Sequence, residues 1–299
     1  MVPHLGDDAA FEDSLVSVLE NRPADAEVCV VHDGRYSDPF QLSDEVRFVA
    51  SETNALAQLI AAAAETAKGR FVHVIGNGVK ATEGWMDAAL EKFEHEDVAI
   101  VSPLARYSWD EAISAAGWTS TTSRLATPVA MGQSSIRRSD AASICGVCLT
   151  ASFWRREVLQ DVLLAFPTSN DDAAQFGWSR LVCRQGWRCV LADQSVVIAD
   201  PKMLGLAPSR ARGASLREIE AEIKGVSTVA SAMSVGIAAL TNVLRPANWG
   251  EVAGEAMSLV SGPKVSRPLR TDAVRSPGER AETIRLPYAI PANALQRAA

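Results

Sequence analysis

The chain has 299 residues, of which 47% are hydrophobic and 22% charged, and its formal net charge is −7. That balance fits a soluble globular protein of one large or two small domains with a full core. It excludes general nucleic-acid binding, because no excess of Lys and Arg exists to neutralise phosphates. Acids crowd the first third. The stretch from Lys264 to Arg297 carries several Arg and few acids, and reads as a solvated tail rather than a docking arm for an anionic partner. Five cysteines (Cys29, Cys145, Cys148, Cys183 and Cys189) fit a reduced, cytoplasmic protein better than a disulfide framework. Cys145 and Cys148 have C-x-x-C spacing, but no second pair with zinc-ligand spacing accompanies them. Ile144, Val147 and Leu149 make that segment read as a buried strand. No basic segment followed by an apolar stretch opens the sequence.

In chain order, Phe11, Leu15, Val18 and Leu19 share one face of a helix expected over 11–20, with Pro23 beyond its end. A short apolar strand is expected over 27–31, closed by His32-Asp33-Gly34, and another over 46–50. An Ala- and Leu-rich helix follows from Asn54 to Lys68, stopped by Gly69. The spacing then predicts a strand over 71–75, a helix over 83–94 and a strand over 98–101. Strands of this kind, apolar throughout and alternating with helices, predict a parallel sheet covered on both faces. The segment 105–143 is rich in Ser, Thr, Gly and Ala and reads as loops and short strands over a site. After it come an expected strand (144–151), two helices (154–164 and 173–184), a strand (189–191) and an extended stretch (195–199).

From Ala214 onward the pattern is helical, over 216–224, 226–244 and 249–260. The stretch 226–244 is uncharged and near bilayer-spanning length, but its Ser, Thr and Asn make it a poor span. A buried or amphipathic helix is expected, with peripheral membrane contact as the lesser alternative. The expected organisation is a domain over 1–208, a helical extension over 209–262 and a flexible Pro/Arg/Ala-rich tail over 263–299. No Gly-x-Ser-x-Gly elbow and no Gly-rich phosphate loop is present.

The order of these elements resembles the family 2 glycosyltransferases, which share the GT-A fold. The residues that carry the resemblance are Pro3-His-Leu-Gly6 before Leu15–Pro23, Glu27-Val-Cys-Val-Val-His-Asp-Gly34, Gly69–Ile75 with Gly84-Trp85, and Val101-Ser-Pro103. Leu149–Leu159 and Arg184-Gln-Gly-Trp-Arg-Cys-Val190 extend it, so that it covers about residues 3 to 200. It implies an α/β fold with a mostly parallel central sheet and a nucleotide-sugar donor across the carboxyl ends of the strands. The sugar would go to an unknown glycan or lipid-linked acceptor. Asp33 matches the aspartate that accepts hydrogen bonds from the donor base, with Gly34 beside it; a plain turn after the strand is the alternative.

The resemblance also implies a divalent manganese or magnesium ion held on the diphosphate by a DxD motif. Here the aligned triplet is Gly76-Asn77-Gly78, which supplies no carboxylate, so no metal site is assigned. The triplet reads as a tight turn, with an N–H cradle for phosphate as the alternative. The base of an inverting enzyme would fall near Gln175 and Phe176, where no acid stands. Asp171 and Asp172 lie just before, as a candidate base or as an N-terminal helix signature. Asp200 stands where such enzymes often carry His. His32, His73, Trp178 and Trp187 read as structural, and Arg155 and Arg156 as a solvated helix face. Met1-Val2 leaves only a stub of the family's first strand, which a start codon assigned too far downstream would also explain. Two readings follow: a transferase, or a catalytically silent relative that binds a nucleotide, glycan or protein.

Overall fold

The computed structural model describes residues 1–121, 124–224, 228–261 and 270–284. Its first half runs β1 (Val2–Pro3), α1 (Asp8–Asn21), β2 (Val28–His32), β3 (Val46–Ala50), α2 (Leu56–Thr66), β4 (Phe71–Ile75), β5 (Lys80–Ala81), α3 (Asp87–Lys92) and β6 (Val98–Arg106). Short pieces follow: β7 (Ile113–Ala115), β8 (Trp118–Thr119), β9 (Thr127–Pro128) and α4 (Arg138–Ala142). Then come β10 (Ala151–Arg155), α5 (Arg156–Ala165), α6 (Asp171–Arg184) and β11 (Arg188–Ile198). The chain continues as α7 (Arg210–Lys224), α8 (Thr228–Thr241), α9 (Trp249–Ser261) and α10 (Pro277–Ile284).

The strands β1, β2 and β3 pair in parallel. The other main strands lie in the order β4-β10-β6-β11-β5, with β7 on β6. Met1 joins the two groups: its amine donates to His73 O at 2.7 Å, and Ile75 N donates to Met1 O at 2.9 Å. β10 runs antiparallel to both β4 and β6, while β6 and β11 are parallel. The interior is therefore parallel apart from β10, as the apolar strands predict, with short antiparallel strands beside it.

Helices cover the sheet because their apolar stripes match it. α1 buries Phe11, Leu15 and Val18, and α2 buries Leu56, Leu59, Ile60 and Ala63. Asp7 caps α1 by accepting from Ala10 N, and Asn170 caps α6 by accepting from Ala173 N. The start of α2 has no capping side chain of its own. Asp171 supplies one from a distance, its Oδ1 accepting from Ala57 N at 2.9 Å.

Several expectations shift. Ile144–Leu149 is a buried connection rather than a strand, and the strand is Ala151–Arg155, so α5 begins at Arg156. Arg155 and Arg156 are not a solvated face. Arg155 donates to Val98 O and Phe93 O at 2.6 Å, and Arg156 to Ala67 O at 2.7 Å, so both side chains are bonded to backbone carbonyls at helix and strand ends. β6 and β11 are longer than expected, because β11 absorbs an irregularity between Ala192 and Val196 without leaving the sheet.

The C-terminal helices are bound to α6 and to one another. Arg180 pairs with Glu220 at 3.0 Å, and Arg217 with Glu255 at 2.5 Å. Arg212 pairs with Glu251 and donates to Ala126 O at 3.1 Å. α7 and α9 cross where a Cβ on Gly254 would lie 2.0 Å from Arg210 O, so the backbones meet with no room for a side chain.

Residues 270–284 fall within the stretch expected to be a flexible tail, yet they dock. Trp187 Nε1 donates to Arg275 O at 2.8 Å and Arg280 pairs with Asp161 at 2.6 Å. Residues 263–269 and 285–299 of that expected tail, and 226–227 of the expected uncharged helix, lie outside the described residues. No described helix is long and apolar enough to cross a membrane.

Candidate functional site

In an open α/β sheet, ligands bind beyond the carboxyl ends of the parallel strands. At that edge the structure brings together His4 after β1, Asp33 after β2, Gly76-Asn77-Gly78 after β4 and Asp200 after β11. A cavity of about 490 Å³ lies at the other edge, lined by Val28, Cys29, Phe71, His73 and Trp85. None of the four strand-end sites contributes to its lining.

Beside β1 and β2 the edge is aromatic. The His4, Phe11 and Tyr36 rings lie 4.9–5.1 Å apart, and Tyr36 stacks towards Phe48 at 6.4 Å. Three buried polar atoms here have no hydrogen-bond partner: His4 Nδ1, Tyr36 Oη and Asn77 Oδ1. Buried polar atoms are nearly always satisfied, so such a cluster marks a place where a ligand or water can bond. Burial pushes the Tyr36 hydroxyl up to about 12, with Glu12, Asp38 and Asp8 adding to the effect. The surroundings are thus negative. Asp33 accepts from Arg35 N at 3.1 Å and sits 3.5 Å from the Arg35 guanidinium. Those bonds make the aspartate the corner of a turn, and leave room for a further donor on its oxygens.

The Gly76–Gly78 turn is closed from both sides. Gly76 N donates to Thr150 O at 2.9 Å, and Gly78 N donates to Ser14 Oγ at 2.9 Å and to Ala10 O at 3.1 Å. Neither glycine N–H is available to cradle a phosphate, which corrects the alternative drawn from the sequence. A Cβ on Gly76 would lie 2.7 Å from Thr150 Cβ and Cγ2. One on Gly78, where φ is +78°, would meet Met203 at 3.0 Å. Asn77 is 8% exposed and its amide donates to Asp7 O. No group of three or more His, Cys, Asp or Glu able to hold a metal occurs among the described residues. A divalent ion needs several oxygen ligands, and this turn offers one amide oxygen, so its residues do not fit the group.

Sequence reasoning missed what closes the turn. Thr150 Oγ1 donates to Met203 O at 2.8 Å. Gln175, near the place an acid would occupy, accepts from Leu149 N at 3.1 Å and donates to Gly205 O at 3.2 Å. These bonds tie the segment after β11 down over the turn. Their partners are 26 to 53 residues apart in the chain, a distance at which no local pattern signals them.

Asp171 and Asp172 occupy the first turn of α6. Asp171 is committed to the start of α2. The Asp172 carboxyl is raised by burial, against the pull of Arg212, while Asp171 and Glu251 push it further up. Asp200 accepts from Ser108 Oγ at 3.3 Å.

No family model matches the sequence, and no curated protein matches it. Solved structures do. Staphylococcus aureus TarS 1–349 in complex with UDP-GlcNAc is similar with a TM-score of 0.51 at 14% identity, over 80% of this chain and 69% of that one. The chain has a GT-A-type fold. GalNAc-T7 with UDP, GalNAc and Mn²⁺ gives 0.49 at 14% identity, over 67% of this chain. The chain spans only 42% of that protein's length. The Pyrobaculum calidifontis mannosyltransferase PcManGT, with GDP-Man and Mn²⁺, gives 0.46 at 15% identity over 95% of this chain and 79% of that one. At these identities the TarS likeness concerns the GT-A architecture alone.

Proposed function

We propose that this chain is a catalytically silent GT-A relative of the glycosyltransferases, which binds a nucleoside or glycan group without metal-assisted sugar transfer. The observation that carries the reading is the closed Gly76–Gly78 turn. Sugar transfer leaves negative charge on a departing nucleoside diphosphate, and a metal ion there lowers the barrier by about several kcal/mol. Each 1.36 kcal/mol lost is about tenfold in rate. Here the turn has no acid, its glycine N–H groups are committed, and the nearby cations Arg35 and Lys80 are paired with Asp33 and Asp13. The aromatic edge of His4, Phe11 and Tyr36, with its unpartnered polar atoms and its negative surroundings, suits a neutral ring better than a diphosphate.

The second reading is an active transferase with Asp172 as general base. Its raised carboxyl favours this, since a base poised nearer neutrality works best at physiological pH. Family 2 membership, the donor and the acceptor belong to that reading.

Calorimetric titration with uridine, UDP and UDP-GlcNAc, with and without Mn²⁺, separates the two. The silent reading expects uridine to bind at least as tightly as UDP, with no effect of Mn²⁺. Tightening of UDP by Mn²⁺, or turnover of UDP-GlcNAc that Asp172→Asn abolishes, would overturn it. Absence of any binding would remove the nucleoside and leave the glycan.

A further inference from the structure

Large exposed apolar side chains concentrate on the last helices. On α8, Met233, Ile237, Leu240 and Leu244 are 66%, 42%, 77% and 89% exposed. At 3.6 residues per turn these four positions fall within about 60° of arc, a single stripe continuing just past the helix end. α9 presents a second stripe, with Trp249 56%, Met257 44% and Val260 90% exposed. Trp249 Nε1 donates to Asn242 O at 3.0 Å, which ties the start of α9 to the end of α8. The opposite face of α8 is already used: Val235, Ala238 and Asn242 are buried, and Asn242 accepts from Asn248 Nδ2 at 2.8 Å. Among the described residues this apolar surface of α8 and α9 is left uncovered.

We propose that this surface of α8 and α9 is the contact face of a homodimer. Three observations select a second copy of the chain. The first is charge. At a net −7, two copies repel over most of their surface, yet α8 carries no charged residue from Thr228 to Thr241. Two copies meeting there bring no acids together. The second concerns the lipid alternative. Helices that lie in a membrane interface carry Lys and Arg along the polar face, which α8 lacks, and an anionic leaflet repels a chain of this charge. The third is area. A buried Leu, Ile or Met removes about 100 Å² of apolar surface, so these side chains and Val243 offer on the order of 500 Å² per protomer. That is most of the roughly 800 Å² per partner of a standard interface, and Ala232, Gly236 and Ala239, all exposed between the large residues, add to it. A two-fold axis would set each stripe against its own copy.

Sedimentation velocity of the full chain over about 1–100 μM tests this, since a weak specific dimer dissociates within that range. The parent is expected as a concentration-dependent dimer, and the Leu240→Glu, Leu244→Glu double variant as a monomer with unchanged circular dichroism. Met233→Lys, a single exposed change, gives the same answer independently should the double variant misfold. A parent that stays monomeric at the highest concentration overturns the proposal, as does a dimer that persists in Met233→Lys and in a folded double variant. Co-flotation of the parent with phosphatidylcholine or phosphatidylglycerol vesicles would assign the surface to lipid instead.

Discussion

Replacing Gly76 with Ala tests whether the turn after β4 is closed. Gly76 is not at positive φ, so by backbone entropy alone the substitution should stabilise, by about 0.4–1 kcal/mol. The structure predicts the opposite sign. The added Cβ would lie 2.7 Å from two Thr150 carbons, where carbon atoms rest about 3.5–4.0 Å apart. Thr150 has little freedom to retreat. Its carbonyl holds Gly76 N, its hydroxyl holds Met203 O, and β10 begins at the next residue. Overpacking of this kind costs about 1–3 kcal/mol, and the pinned neighbour places this case near the top of that range. For a chain of 299 residues about 2–3 kcal/mol lowers Tm by roughly 3–5 °C. Thermal unfolding by circular dichroism, checked by urea titration, measures it. A Gly76→Ala chain with a Tm equal to or above the parent's would mean that the turn opens freely, and the argument against a diphosphate site would fall with it.

Two further predictions concern the acids of α6. Asp171→Ala should lower stability by about 1 kcal/mol through loss of the cap on α2, while Asp171→Asn keeps an acceptor and costs less; equal losses in urea titrations would contradict the capping role. Asp172 titrates above its ordinary value when folded because it is buried. Between its unfolded and folded values the native state therefore holds more protons, and its contribution to stability falls as pH rises through that window. The gain in Tm on Asp172→Asn should accordingly be larger at pH 8 than at pH 4, and a gain independent of pH would refute the assignment.

Most of the architecture was legible because its signals are local. Phe71–Ile75 and Val46–Ala50 are mostly apolar runs, interrupted only by His73 and Arg47, and both are strands at those bounds. The Ala- and Leu-rich stretch before Gly69 is a helix for the same reason. What failed was where two patterns overlap. Ile144–Leu149 is apolar enough for a strand, but Trp118 packs so close to Gly146 that a Cβ there would lie 2.0 Å from its ring, and the segment becomes a buried connection. Arg155 and Arg156 have the composition of a solvated face, and only the fold reveals that carbonyls wait beside them. In the site, the absence of acids at Gly76-Asn77-Gly78 was visible in the sequence. The presence of Thr150, Met203 and Gln175 against that turn was not, because their bonds cross from separate elements.

Gln175 has a consequence for motion. Many transferring enzymes open and close a segment over the donor in each cycle, and that segment must be cheap to release. Here, freeing the stretch after β11 means breaking the Gln175 bond to Gly205 O and the Thr150 bond to Met203 O together, and baring Leu204, which is 0% exposed. Opening on that scale belongs with sub-global unfolding rather than with loop fluctuation. In this chain the stretch after β11 is a fixed wall of the core.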